Sequence, residues 1–191
     1  MTSRILSWLD IIHTYLQRRL GEDEKEIGSV TPSSAYLTRK LLHSLPWGGF
    51  HTIVELGAGT GVFTEFVMEH KNPDSDFLVI EQDYRMRQDL MEHFPQAFFG
   101  SNAEDLPALM RQYDLPEADC IISSLPFTVL EKTCRLNILA GIDKTLSNQG
   151  LFVAFQYSPQ MYGTFHHMFR KVEMGFTPLN IPPAFTYTCQ K

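Results

Sequence analysis

Three glycines at two-residue spacing, Gly57, Gly59 and Gly61, follow the apolar run His51-Thr52-Ile53-Val54-Glu55-Leu56. Glycine permits backbone conformations and close ligand approach that a Cβ blocks. The segment therefore reads as a loop that cradles a bound group between a strand and the start of a helix. A nicotinamide dinucleotide, with its pyrophosphate, normally goes with G-x-G-x-x-G. Here the spacing is G-x-G-x-G, and Glu55 stands two residues ahead of it. A buried acid in that place suits a cationic ligand, one carrying an α-amino group or a sulfonium, and sits poorly beside a pyrophosphate. Glu81 closes the next apolar run, 20 positions after Gly61, with Gln82 beside it. A carboxylate there can accept both hydroxyls of a ribose. After the third run, Asn102 and Ala103 offer a side-chain amide and a backbone N–H suited to an adenine edge. With Thr60 these residues make up a candidate nucleoside site.

Such groups act together only if their segments end side by side. Apolar runs at His51–Leu56, Phe77–Ile80, Ala97–Gly100, Cys120–Ser123 and Leu151–Gln156 alternate with helical stretches. The helices are predicted from about Gly61 to His70, Tyr84 to His93, Leu106 to Gln112 and Leu130 to Leu146. Continuous apolar strands alternating with helices imply a parallel sheet covered on both faces. In such a sheet, ligands bind beyond the carboxyl ends of the strands, where strand order reverses. Residues 172–188 hold two extended runs joined through Pro182-Pro183, which predicts an antiparallel hairpin at the end. Ahead of the first strand, Thr31-Pro32-Ser33-Ser34 reads as a capped helix start, with the helix continuing to about Leu45. Residues 1–20 place Ile5, Trp8, Leu9, Ile12, Leu16 and Leu20 on one helical face, and 1–26 are read as this helix plus a charged linker.

The totals limit the function classes. With 191 residues, 43% hydrophobic and 20% charged, the chain suits one soluble domain, over residues 27–191. The net charge of −6 argues against a nucleic-acid partner, because phosphate contacts dominate that affinity. Cys120, Cys134 and Cys189 lack metal-ligand spacing and are read as reduced thiols in a cytoplasmic protein. His166 and His167, adjacent on a helix, face different directions, and no metal site is expected.

The glycine loop, Glu55, Glu81 and Asn102, in that order at successive strand ends, resemble the class I S-adenosylmethionine-dependent methyltransferases. That resemblance implies a Rossmann-like seven-stranded sheet, mainly parallel with an antiparallel C-terminal hairpin strand and helices on both faces, and S-adenosylmethionine as cofactor. Gly28-Ser29-Val30-Thr31-Pro32-Ser33-Ser34, Ser123-Ser124-Leu125-Pro126-Phe127, Phe155-Gln156-Tyr157-Ser158 and Leu179-Asn180-Ile181-Pro182-Pro183-Ala184 are similar to segments of bacterial phospholipid N-methyltransferases. They imply methyl transfer to the headgroup amine of an aminophospholipid of the phosphatidylethanolamine type. More distantly, Leu125-Pro126-Phe127 resembles the end of the N-L-P-Y turn of ribosomal RNA adenine dimethylases. Ser124 stands where that turn uses Asn or Asp, and no appended RNA-binding helical domain is expected. The cofactor residues alone would equally suit a small-molecule amine methyltransferase or a non-catalytic cofactor-binding protein.

On the lipid reading, Thr31 and Ser123 join the cofactor site. The carbonyls around Ser123, Ser124 and Leu125 and the Tyr157 hydroxyl are candidates to orient the amine, and Phe127 is expected to wall the pocket. For the first helix two readings stand. Its apolar face with Trp8 and terminal arginines suits a membrane interface, which would place the protein peripherally at the inner membrane face. The same face also suits packing on the domain.

Overall fold

A computed structural model describes residues 32–178, 180 and 182–191. The expected helix at residues 1–20, the 26/27 boundary and Thr31 lie outside them. The first described element is helix α1 (Pro32–Leu42), followed by a single 3-10 turn at Trp47–Gly49. Alternation then begins: β1 (Thr52–Leu56), α2 (Val62–His70), β2 (Asp76–Ile80), α3 (Tyr84–His93), β3 (Phe98–Gly100), α4 (Leu106–Gln112), β4 (Ala118–Ser123), α5 (Lys132–Thr145), β5 (Leu146–Gln156), α6 (Tyr162–Met168), β6 (Lys171–Thr177) and β7 (Ala184–Gln190).

The strands form one seven-stranded sheet in the order β3-β2-β1-β4-β5-β7-β6. β1 to β5 run parallel, while β7 is antiparallel to both β5 and β6. Strand order reverses between β1 and β4, so the ends of these two strands frame the crevice where ligands bind in sheets of this kind.

Burial explains why the strands read as continuous apolar runs. All five residues of β1 are buried, as are the last four of β2 and of β4. Ile53, Val79, Ile122 and Val153 belong to one apolar layer with Leu41, Phe63, Val67 and Leu90 of α1, α2 and α3. Val54, Leu78, Ile121 and Phe152 belong to the other, with Leu106, Ile142 and Phe165 of α4, α5 and α6. In the second layer the Phe165 ring lies 5.3 Å from Phe152, 6.0 Å from Phe127 and 5.1 Å from Tyr187, each edge to face. Phe152 also stacks on Phe169 at 5.4 Å. Edge-to-face and offset pairs add to the transfer of their rings out of water.

Two boundaries differ from the sequence reading by three residues or more. α1 stops at Leu42, not Leu45, and the indole Nε1 of Trp47 donates to the Leu42 carbonyl at 3.0 Å. That carbonyl also accepts the Leu45 N–H at 3.2 Å, so the helix end is closed by a backbone and a side-chain donor. β5 starts at Leu146, five residues before the predicted run. Its register shifts between Ala118↔Leu146 and Cys120↔Leu151, an irregularity that lets Ser147-Asn148-Gln149-Gly150 continue the strand. Among the described residues no helix is long and apolar enough to cross a membrane.

Phe165 is fully buried and touches four other aromatic rings. Phe165→Ala should lower unfolding free energy by about 3–5 kcal/mol, measured by urea denaturation, without changing the far-UV spectrum. A loss below about 1 kcal/mol would contradict a tightly packed aromatic layer.

Candidate functional site

The crevice is built from the glycine loop outward. Gly57, Gly59 and Gly61 all have positive φ, at 78°, 56° and 87°. Side chains are blocked at two of them. A Cβ on Gly57 would lie 2.8 Å from Cδ2 of Leu125, and one on Gly61 2.6 Å from Cδ2 of Leu90. Above Gly59 a Cβ would meet nothing within 4 Å, so this is the face of the loop open to a ligand. The backbone N–H groups of Gly57 and Ala58 donate to the Ile80 carbonyl at 2.8 and 3.3 Å, which folds the loop over the end of β2.

Glu81 completes that fold. Its Oε2 accepts the Gly59 N–H at 2.7 Å and its Oε1 accepts the Asp83 N–H at 2.8 Å. A carboxylate offers about four lone-pair directions, so two remain for the ribose hydroxyls expected there. The sequence reading missed the groups that hold Glu81 in place. Arg87 donates through Nη1 to the carbonyls of Glu81 at 2.6 Å and Gln82 at 3.1 Å, and Asp83 caps α3 by accepting the Met86 N–H. An Asp directly ahead of a helical stretch is the one sequence signal that could have revealed Asp83. The side chain of Gln82 itself is exposed, as is Thr60.

Glu55 lies fully buried beneath the loop. Thr64, on the first turns of α2, donates its hydroxyl to Oε2 at 2.7 Å. Oε1 is buried with no hydrogen-bond partner among the described residues. Burial pushes its carboxyl from the ordinary 4.5 up to about 8, opposed by the Thr64 hydroxyl and helped by the charge of Glu81. A cationic group brought to Oε1 would favour the ionised form and satisfy the oxygen. Glu55 and the open face of Gly59 therefore fit the cationic nucleoside inferred from the sequence.

Asn102 is exposed, and its Oδ1 accepts the Glu104 N–H at 3.0 Å as the cap of a short helical turn. Any contact with a base then falls to its amide nitrogen and to Ala103.

The turn after β4 holds most of the residues expected on the acceptor side. Ser123 is buried, and its Oγ accepts the Leu125 N–H at 3.3 Å. Ser124 donates its N–H to the Leu56 carbonyl at 3.0 Å, which ties the turn to β1. Two expectations change here. The Leu125 carbonyl accepts both the Gln156 Nε2 at 2.8 Å and the Phe127 N–H at 2.9 Å, so both its lone pairs are committed. Phe127 is 0% exposed inside the aromatic layer and walls no pocket. Tyr157, half-buried after β5, packs edge to face on Phe155 at 5.6 Å. His166 and His167 are exposed, and burial pushes the Cys120 and Cys189 thiols up, which makes them poor nucleophiles.

No protein-family model matches the chain. Over 169 residues, 86% of its length, it is 31% identical to an ornithine lipid N-methyltransferase of Singulisphaera acidiphila, of which it covers 88%. Among solved structures it superposes on the N-methyltransferase NodS of Bradyrhizobium japonicum, in complex with S-adenosyl-L-homocysteine, with TM-score 0.71 and 15% identity; the match covers 93% of this chain and 97% of that one. A precorrin-6y C5,15-methyltransferase of Geobacter metallireducens matches with TM-score 0.62 and 14% identity, covering 89% and 93%. At those identities the two structures share the fold.

Glu55 should make stability depend on pH. Its carboxyl binds a proton more tightly folded than unfolded, so its contribution is complete below about pH 4.5 and is lost as pH rises through about 8. Glu55→Gln, neutral throughout, should remove that decline, by an amount on the order of a few kcal/mol between these limits. Equal pH slopes for the two proteins in chemical denaturation would refute a protonated Glu55.

Proposed function

Since the chain belongs to the family of the ornithine lipid N-methyltransferase, a group of enzymes on the class I methyltransferase fold, we propose that it methylates the headgroup amine of a membrane lipid with S-adenosylmethionine as the methyl donor. The observation that carries this reading is the match to a lipid N-methyltransferase along nearly nine-tenths of both chains. The unpartnered Glu55 oxygen and the open glycine loop support the cofactor.

S-adenosylmethionine supplies an electrophilic methyl group on a sulfonium. Glu55 would serve the positive end of the cofactor, Glu81 its ribose, and Asn102 with Ala103 its base. Transfer is an in-line displacement, so the chain's contribution is to hold an amine lone pair on the far side of that methyl. An ammonium must first shed its proton. A poorly hydrated crevice lowers the amine's pKa, which allows water to take the proton without a dedicated base. The Ser124 carbonyl and Tyr157 hydroxyl orient the neutral amine by accepting its remaining hydrogens.

Two headgroups meet this chemistry. The segments around Ser124, Tyr157 and Asn180 favour phosphatidylethanolamine, whereas the Singulisphaera relative favours an ornithine lipid. Both offer a primary amine on a flexible tether. A lipid acceptor entails at least transient contact with a membrane surface, and residues 1–20 are the segment we assign to it.

Labelled S-adenosylmethionine should be incubated with vesicles containing phosphatidylethanolamine, vesicles containing ornithine lipid, soluble ethanolamine, and ribosomal RNA. Label should enter one of the two lipids at a rate at least about tenfold above the soluble amine, because only the lipid gains affinity from the vesicle surface. Label in ethanolamine or RNA with none in lipid would overturn the reading.

A further inference from the structure

Gln156 is the last residue of β5 and only 2% exposed. Its side-chain nitrogen donates to the Leu125 carbonyl at 2.8 Å and to the Phe155 carbonyl at 2.6 Å. The first of these contacts joins residues 31 apart in sequence and connects the end of β5 to the acceptor turn after β4. The remaining hydrogen bonds of that turn are mostly local or run toward the following helix: Phe127 donates its N–H to the Leu125 carbonyl at 2.9 Å, the Pro126 carbonyl accepts from Val129 and Leu130, and Arg135 donates to the Phe127 carbonyl at 3.1 Å. Ser124 is held to β1 by one backbone bond, the Leu125 N–H reaches only the Ser123 hydroxyl at 3.3 Å, and Pro126 has no N–H to give.

Leu125 touches both halves of the site. Its backbone carries the peptide group next to Ser124, while its side chain lies against the space a Gly57 Cβ would fill. A shift of the Leu125 backbone therefore moves the acceptor turn relative to the cofactor loop. We propose that Gln156 is a positioning residue: its carboxamide fixes the height of the Ser124–Leu125 turn above the glycine loop and so aligns the acceptor amine with the methyl group. This rests on the methyl-transfer function proposed above. Gln156 itself touches neither substrate. Its effect runs through the geometry of Leu125, and misplacement on the scale of 1 Å can cost about a hundredfold in rate.

The test uses the full-length chain with Gln156→Leu, which removes the donor, and Gln156→Asn, which retains an amide one methylene too short. Titration with S-adenosylhomocysteine should give affinities within about twofold of wild type, while kcat falls at least about tenfold. In the ligand-saturated protein, amide exchange across residues 123–127 should accelerate up to about tenfold, with residues 52–56 unchanged. Unchanged exchange at 123–127, unchanged kcat, or a loss of rate matched by an equal loss of ligand affinity would overturn the proposal.

If neither variant folds, Gln156→Glu decides. Only its protonated carboxyl can donate to Leu125, so its kcat should recover toward wild type as pH falls, whereas a pH profile parallel to wild type would overturn the role. The exchange measurement needs no acceptor. Failure of the wild-type protein to methylate any aminolipid would count against the function above, while exchange at 123–127 would still decide the role of Gln156.

Discussion

The Gly59 N–H donates to the Glu81 carboxylate, and the ligand-binding end of the sheet is organised around that contact. A chain leaving β1 must turn over the end of β2 before α2 can begin. Three positive-φ glycines make the turn sterically possible, but they also leave it entropically free. Glu81 removes that freedom by fixing the loop with one oxygen and the start of α3 with the other. A charge-assisted bond of this kind is stronger than a bond between neutral groups, and it leaves lone pairs directed at the crevice. Arg87 then closes the arrangement through the carbonyls behind Glu81.

The second half of the site is attached to this frame by one backbone bond and two side-chain contacts. Ser124 reaches Leu56, Gln156 reaches Leu125, and the Leu125 side chain rests against Gly57. Behind them lie two apolar layers, one on each face of the sheet, that hold the strand ends in register. Glu55 belongs to neither category comfortably. It is a buried acid held largely neutral by desolvation, with one oxygen satisfied by Thr64 and one left for a ligand. Such a group costs stability in the free protein and returns it when a cation binds.

Much of this was legible in the sequence. Strands buried on both faces produce unbroken apolar runs, so β1 to β4 stood out, and the glycine spacing with Glu55 and Glu81 marked the crevice. What escaped notice depends on contacts without a periodic trace. Whether Phe127 lines a pocket or joins Phe152 and Phe165 depends on which way the chain turns after Pro126, and composition does not encode that direction. The first half of β5 carries Ser147, Asn148 and Gln149 at positions where burial is incomplete, which hides the strand from any hydrophobic pattern. Gln156 looked like part of a short motif, and its bond across 31 residues appears only once β4 and β5 are paired. Even Glu81, expected at the strand end as a ribose ligand, turns out to brace the loop through Gly59 and Asp83.

Glu81 is central because it shapes the glycine loop and, in the proposed function, also serves the cofactor. Calorimetric titration of S-adenosylhomocysteine into wild type and Glu81→Ala tests that double role most directly, with circular dichroism to verify the fold. Loss of hydrogen bonds to a charged group predicts affinity lower by at least about tenfold in a folded variant. Unchanged affinity in a folded Glu81→Ala protein would contradict it.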